Sequence, residues 1–551
     1  MKDNSKFRLD IWGMITLMTI AVYALFLLYP MAHLLQQAVT DGETGQFTMQ
    51  NFVKLFSKSY YFDTLINSFR VSIAATILSI AIGTPLAYLF SVYKIKGKSV
   101  LNILIIIASM SAPFIGAYSW ILLLGRSGVI TSFLKKAGIL IPDIYGFKGI
   151  VLVMSLQLFP LVFLYARGAL KNIDNSLIEA ANNLGCSGIK CFFNVVIPLI
   201  LPTLLAAALL VFMRSFADFG TPMLIGEGYR TFPVVLYTEF INEVGGNDGF
   251  AAAIAIVAIL VTTVVFLAQK YVSNKKAFAL NALHPIEEKE PKKKIRIWVY
   301  LFSYLIVGIA ILPQVYVTYT SFKKTAGKIF VPGHSLQSYR SAFGKLGKSI
   351  QNTIIIPLCS LVVIILLAIL IAYLVVRRKN ALTSTVDVLS MIPYIIPGTV
   401  LGIALLTGFN QRPLLISGTM LIMVIALVIR RLPHTIRSAV AILQQIPMSI
   451  EEAAISLGAS KMKAFFRVTV PMMTAGIISG AILSWVTMIS ELSTAIILYT
   501  GRTKTLTVAV YTEVVRGNYG VAAALSTILT LLTVLSLLAF NKGNAGKDFS
   551  L

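Results

Sequence analysis

Two short stretches have the residue types and spacing to dock a partner, and three ionisable residues sit where an apolar setting makes charge consequential. The first stretch is Glu179-Ala180-Ala181-Asn182-Asn183-Leu184-Gly185, followed by Phe192-Phe193 and Pro198. The second is Glu452-Ala453-Ala454-Ile455-Ser456-Leu457-Gly458, followed by Phe465-Phe466 and Pro471. In both, small alanines let another surface approach closely and the glycine permits a sharp turn. Leu177, Ala181 and Leu184 give the first an apolar stripe at helical spacing, and Ile450, Ala454 and Leu457 repeat it in the second. Ser176 and Ser449, each with an acidic residue three positions on, predict capping boxes that start these helices. The ionisable residues are Arg214 and Asp218 at the end of one apolar run and Glu491 at the position of Asp218 in another. Charged groups within or at the ends of membrane spans are costly and often functional. Arg214 and Asp218, four apart, could pair along one helix face, or Asp218 and Glu491 could flank a common pathway.

The elements that position these residues are membrane spans. The chain has 551 residues, 57% hydrophobic and 13% charged, with a mean hydropathy of +0.83, whereas soluble domains carry about 25% charged residues. A net charge of +25 in a soluble chain would point to nucleic acid; in a membrane chain it is first a record of topology, and no nucleic-acid partner is expected. Twelve stretches are long and apolar enough to span a bilayer, from 11–30 to 519–540, with the third at 100–124, the ninth at 386–408 and the tenth at 413–429. The first is too long for a signal-peptide core and reads as a retained helix. Lys and Arg concentrate in the segments that are cytoplasmic when both termini are cytoplasmic, so that orientation is expected. One outer segment, 321–351, departs from the rule with Lys323, Lys324, Lys328, Arg340, Lys345 and Lys348 and no acid. Cys186, Cys191 and Cys359 cannot build a disulfide framework and read as packing residues.

The chain is a tandem duplication. Asn67 and Ala87-Tyr88 match Asn352 and Ala372-Tyr373 at an offset of 285, while Pro160, Glu179, Gly185 and Pro198 match Pro433, Glu452, Gly458 and Pro471 at 273. The drop in offset places extra residues in the first half, in the outer loop 125–147. Tyr237-Thr238-Glu239 matches Tyr511-Thr512-Glu513 at 274. Six spans per half, an even number, make the repeats parallel about an axis along the membrane normal. The expected organisation is a first repeat over 1–272 with the partner-docking loop 174–197, a polar cytoplasmic linker over 273–295, and a second repeat over 296–551 with the loop 447–470.

The Glu-Ala-Ala spacing ending in Gly, presented twice before a proline-led span, resembles the coupling motif of permease subunits of ATP-binding-cassette (ABC) importers. Ala217-Asp218-Phe219-Gly220-Thr221-Pro222 and Pro397-Gly398-Thr399-Val400-Leu401-Gly402 make it most similar to the fused, double-length ferric-iron-type permeases. The resemblance implies an all-α type I importer permease fold in the plasma or inner membrane, with a homodimer of ATP-binding subunits on the cytoplasmic side and a solute-binding protein outside. Glu179, Ala180, Ala181 and Gly185, and Glu452, Ala453, Ala454 and Gly458, would be the coupling residues. ATP and magnesium would belong to the partner subunit, and this chain would hold no cofactor or metal of its own. If the cargo is Fe³⁺, carboxylate and phenolate oxygens make Asp218, Glu491, Tyr237, Glu239, Tyr511 and Glu513 candidate transient ligands, although Tyr237 and Tyr511 also suit anchors at a membrane interface. If it is a phosphonate or sugar phosphate, Arg214 and Arg70 gain weight; thiamine and polyamines are further alternatives. The six basic residues of 321–351 are candidates for docking an acidic face of the binding protein.

Enzyme chemistry is not indicated. Residues 342–349 (AFGKLGKS) fit a relaxed phosphate-loop pattern, but no buried strand precedes them and topology puts them outside. His33, His284, His334 and His434 are scattered. A secondary carrier is the rival class; it predicts inverted repeats and coupling carboxylates deep in the spans.

Overall fold

A computed structural model describes residues 11–42, 44–110, 113–186, 188–241, 248–275, 284, 286 and 288–543. Both termini, and residues 276–283, 285 and 287 of the linker, therefore lie outside the described residues. The first half contains α1 (Ile11–Ala38), α2 (Ser59–Val92), α3 (Lys98–Met110), α4 (Pro113–Leu124), α5 (Phe147–Lys171), α6 (Asn175–Asn183), α7 (Ile189–Phe216), α8 (Phe232–Ile241) and α9 (Asp248–Lys275). The second repeats the series as α10 (Lys293–Ser321), α11 (Gln337–Arg377), α12 (Ala381–Ile395), α13 (Gly398–Gly408), α14 (Met420–Gln445), α15 (Met448–Ser456), α16 (Lys461–Ile489), α17 (Leu506–Val515) and α18 (Tyr519–Gly543). Each of the nine labelled helices of the first half thus has its counterpart nine labels later. A two-stranded antiparallel hairpin, β1 (Lys323–Ala326) and β2 (Ile329–His334), joins α10 to α11. The extra residues of the first half lie between α4 and α5, where they include a short helix, Val129–Lys136.

Among the described residues ten helices are long and apolar enough to cross a membrane, and α12 with α13, bent by 111°, makes an eleventh. The ninth stretch, 386–408, is therefore a broken span. Its break falls at Ile396-Pro397, where proline has no N–H to continue the helix and disfavours helical backbone in the residue before it. The third stretch, 100–124, likewise comprises two helices, α3 and α4. The tenth stretch is not 413–429. Residues 413–419 are loop, and the helix runs 420–445, which places Arg430, Arg431 and Arg437 inside it instead of in the loop beyond.

Proline also shapes the spans locally. Among the described residues three π-helical stretches occur, Ala24–Leu28, Phe192–Val196 and Phe465–Thr469, and each ends two residues before a proline: Pro30, Pro198 or Pro471. A proline ring cannot donate to the carbonyl four residues back and crowds it, and widening the preceding turn relieves that conflict.

Within each half three spans form the central layer: α2, α5 and α7, then α11, α14 and α16. Gly83 of α2 lies so close to α5 that a Cβ there would come within 2.7 Å of the Phe159 carbonyl oxygen. The first helix of each half crosses to the other. Helix α1 packs on α9 and on α12 and α13, and α10 packs on α18 and on α3 and α4. Trp12 of α1 consequently sits against Tyr373 and Phe465, with ring centroids 4.5 and 5.3 Å away. Val299 and Val307 of α10 join an apolar core made otherwise by the first half. A larger core joins α1, α8 and α9 to most of the second half, so the two repeats share a buried seam.

Candidate functional site

At one end of the bundle the counterparts α6 and α15 lie on the surface, each ending in a glycine with left-handed backbone, Gly185 at φ +82° and Gly458 at φ +90°. An L side chain is disfavoured there, so glycine lets the chain reverse into the next span. Glu179, Ala180, Glu452 and Ala453 are exposed, while Ala181 and Ala454 are half-buried. Leu184 is 88% and Leu457 90% exposed, equivalent apolar side chains presented by both copies.

The capping boxes expected from Ser176 and Ser449 do not form. Asp174 is the cap of α6, accepting the Ser176 N–H at 3.0 Å, because a carboxylate two residues earlier already meets that donor. Pro447 precedes α15 without a side-chain cap. Glu179 instead accepts from Asn175 Nδ2 at 2.6 Å. The other Asp174 oxygen accepts the His284 N–H at 3.2 Å, and the Asn175 N–H bonds the His284 carbonyl at 2.8 Å. The described part of the linker is thus tied to the start of α6. Cys186, just past Gly185, is brought into contact with buried Cys191, which their separation along one helix would not allow.

At the seam, Asp218 and Glu491 come from segments that meet: a Cβ at Gly220 would lie 3.5 Å from Leu492 Cδ2. Asp218 does not pair with Arg214 as their spacing allowed; it accepts the Gly220 N–H at 3.1 Å. Glu491 is buried and saturated. Its carboxylate takes Arg430 Nη1 at 2.9 Å, an Arg431 guanidinium N–H and the Thr494 N–H at 3.1 Å. Arg430 also donates to Thr494 Oγ1 at 2.6 Å. Counting the 1.5 Å rise per residue, Arg430 stands roughly 22 Å from the α15 end of α14 and roughly 15 Å from the other, in the middle part of the helix. Arg214 is accessible although densely surrounded, and it interacts electrostatically with Arg431, Tyr394 and Tyr165.

The tyrosines converge as well. Tyr237 and Tyr511 both pack on buried Phe219, at 4.5 and 5.9 Å, so they lie in the seam and not as anchors facing headgroups. Their neighbours Glu239 and Glu513 are engaged locally, Glu239 with Tyr61 Oη at 3.3 Å and Glu513 with Asn518 at 2.7 Å and Arg516 at 3.3 Å. Among the described residues no three His, Cys, Asp or Glu side chains converge as a metal site. Arg70 is exposed on α2. Of the basic segment, Lys324, Lys328, Arg340, Lys345 and Lys348 are exposed on the hairpin and the start of α11, and Lys323 stacks over the Tyr319 ring at 5.2 Å. Residues 342–349 are continuous α11 helix, so their N–H groups are directed along the helix and form no phosphate cradle. Sequence reasoning missed Arg430, Arg431 and Glu451; the signal was an arginine pair inside an apolar run, read as the end of a span.

Two repeated sets of membrane-spanning helices, with a matching pair of short surface helices at one end and a polar seam between the halves, describe a multi-pass membrane subunit. The chain belongs to the family of binding-protein-dependent transport system inner membrane components, which it matches over residues 61–277 and 360–542. It is 28% identical over 530 residues to the ferric transport system permease protein FbpB of Actinobacillus pleuropneumoniae, covering 94% of this chain and 76% of that one. A putative ferric transport system permease protein, FbpB 1 of Haemophilus influenzae, is 27% identical over 493 residues, 87% of this chain and 76% of that one. The molybdenum transport system permease protein ModB of Escherichia coli K12 is 30% identical over 212 residues, 37% of this chain and 90% of that one.

Proposed function

We propose that this chain is the permease of an ABC importer that moves ferric iron from an external solute-binding protein, driven by ATP hydrolysed in a separate subunit. The observation that carries the reading is the pair α6 and α15, with Leu184 and Leu457 equally bare. Two like helices about a pseudo-two-fold axis suit a homodimer of ATP-binding subunits, one groove for each helix, which holds the ATP and magnesium. Glu179 and Glu452 point charge at the basic groups of such grooves. Ferric iron is supported by the names of the full-length relatives. In this reading the docking face and both termini are cytoplasmic, the repeats divide at the linker 273–295, and the basic hairpin receives the binding protein. Alternating access would open the seam at Asp218, Glu491, Tyr237 and Tyr511 first to one side and then to the other.

A second reading, a phosphonate or sugar-phosphate cargo, is favoured by the guanidinium groups of Arg214, Arg430 and Arg431 at the seam. Reconstitution in vesicles separates the two. Binding protein loaded with Fe³⁺ should stimulate ATP hydrolysis and iron uptake; stimulation by an organophosphorus ligand alone overturns the iron assignment. The docking assignment is tested by Leu184→Asp with Leu457→Asp. Each removes an apolar contact worth about 1.5–3 kcal/mol, so the ATP-binding subunits should be lost on purification. Full retention would refute it.

A further inference from the structure

Beneath α15 lies Glu451, 4% exposed, one residue before the exposed Glu452. Its carboxylate accepts the Tyr373 hydroxyl of α11 at 2.5 Å and Thr469 Oγ1 of α16 at 3.3 Å, with Arg377 Nε of α11 3.9 Å away. Arg377 Nη2 in turn donates to the Ile446 carbonyl at the end of α14, at 2.7 Å. One buried carboxylate therefore connects α15 directly to two central spans of its half, α11 and α16, and through the nearby Arg377 to the end of the third, α14.

The first half lacks this connection. At the repeat offsets of 273 and 285, Glu451 corresponds to Ile178, Thr469 to Val196 and Arg377 to Val92; only Tyr373 is kept, as Tyr88. Ile178 and Tyr88 pack instead against the apolar core that contains Val196. The aromatic scaffold is otherwise the same: Tyr88 meets Phe192 at 4.8 Å and Tyr373 meets Phe465 at 4.7 Å. Apolar contact is non-directional and tolerates sliding, whereas a charge-assisted hydrogen bond fixes distance and angle. Among the described residues, the hydrogen bonds between α6 and the rest of the fold lie at its first turn, where Asp174 and Asn175 bond His284.

We propose that Glu451 is a positioning residue that locks α15 to α11, α14 and α16, so that the two docking helices pass ATPase motion to the membrane unequally, α15 as a rigid lever and α6 with slip. This rests on the reading of α6 and α15 as the ATPase-docking helices. An ATPase dimer with two identical grooves would then drive a permease whose halves respond differently, the second half leading.

The test uses the complete complex of permease and ATP-binding subunits in proteoliposomes, with loaded binding protein. Glu451→Ile installs the first-half residue and should lower uptake per ATP hydrolysed by roughly tenfold, whereas Glu451→Gln, which keeps an acceptor for Tyr373 and Thr469, should lose only about two- to threefold. Equal uptake per ATP in Glu451→Ile and the unaltered chain overturns the inference. A measurement on the unaltered complex covers the case in which the variant fails to assemble: amides of Ile450–Leu457 should exchange with solvent about tenfold more slowly than those of Leu177–Leu184. Equal or reversed protection overturns the inference too. If the unaltered chain retains no ATP-binding subunit at all, the docking assignment itself has failed, a result distinct from either of these.

Discussion

Replacing Glu491 by Ala isolates the electrostatics of the seam. The carboxylate is 4% exposed, and the Arg430 and Arg431 side chains it serves are 17% and 15% exposed. Removing it leaves two guanidinium groups facing each other in low dielectric and takes the acceptor from the Thr494 N–H. Breaking a buried ion pair from one side costs about 3–5 kcal/mol because the partner charge stays buried. Thr494 Oγ1 still accepts from Arg430 at 2.6 Å, so the lower end, about 3 kcal/mol, is expected. Unfolding of the purified permease in mixed micelles would measure it, as a double-mutant cycle with Arg431→Met. The double variant should be less destabilised than the sum of the single ones by about 1.5 kcal/mol or more, since Met removes one of the two stranded charges and with it their mutual repulsion. A cost below about 1 kcal/mol for Glu491→Ala, or additivity within about 0.5 kcal/mol, would refute the claim that Glu491 holds these arginines in place.

Three further outcomes are expected. Gly83→Val must push α2 from the Phe159 carbonyl and Val162 and should destabilise by about 1–3 kcal/mol, while Gly168→Ala, with nothing within 4 Å of the new methyl, should be neutral or stabilising; thermal unfolding compares them. Gly458→Ala, at φ +90°, should cost about 1–2 kcal/mol locally and reduce co-purification of the ATP-binding subunits. Neutralising Lys323, Lys324, Lys328, Arg340, Lys345 and Lys348 together should weaken binding-protein association at low salt and matter little at high salt; a loss that ignores ionic strength would remove the hairpin's electrostatic role.

The duplication was legible because proline, glycine and glutamate recur at fixed offsets, and those residues act locally: Pro198 and Pro471 each close a π-helical stretch wherever the spans pack. What stayed hidden depended on depth or distance. Arg430 and Arg431 looked like the cytoplasmic end of a span since their partner, Glu491, is some 60 residues on, and only tertiary contact makes such charges tolerable within a membrane. Glu451 and Glu452 are adjacent, yet one is buried and the other bare, a difference fixed by the rotation of a nine-residue helix against the spans beneath it. The cap of α6 was misplaced for a simpler reason. Asp174 is a better-placed acceptor than Ser176, and the pattern of a serine followed by an acid drew attention past it.

The crossing of α1 to the second half has a consequence for how the protein is made. Trp12 is synthesised roughly 450 residues before Phe465, the ring it packs against. At about 5–20 residues per second, translation takes on the order of 20–90 s to bridge that gap. For most of that time α1 is in the bilayer without α12 and α13, its aromatic and threonine face turned to lipid or to whatever helper shields it. The nascent first half is consequently an unfinished object, open at the groove that α10 will fill, and its window for degradation is set by the ribosome and not by its own folding rate.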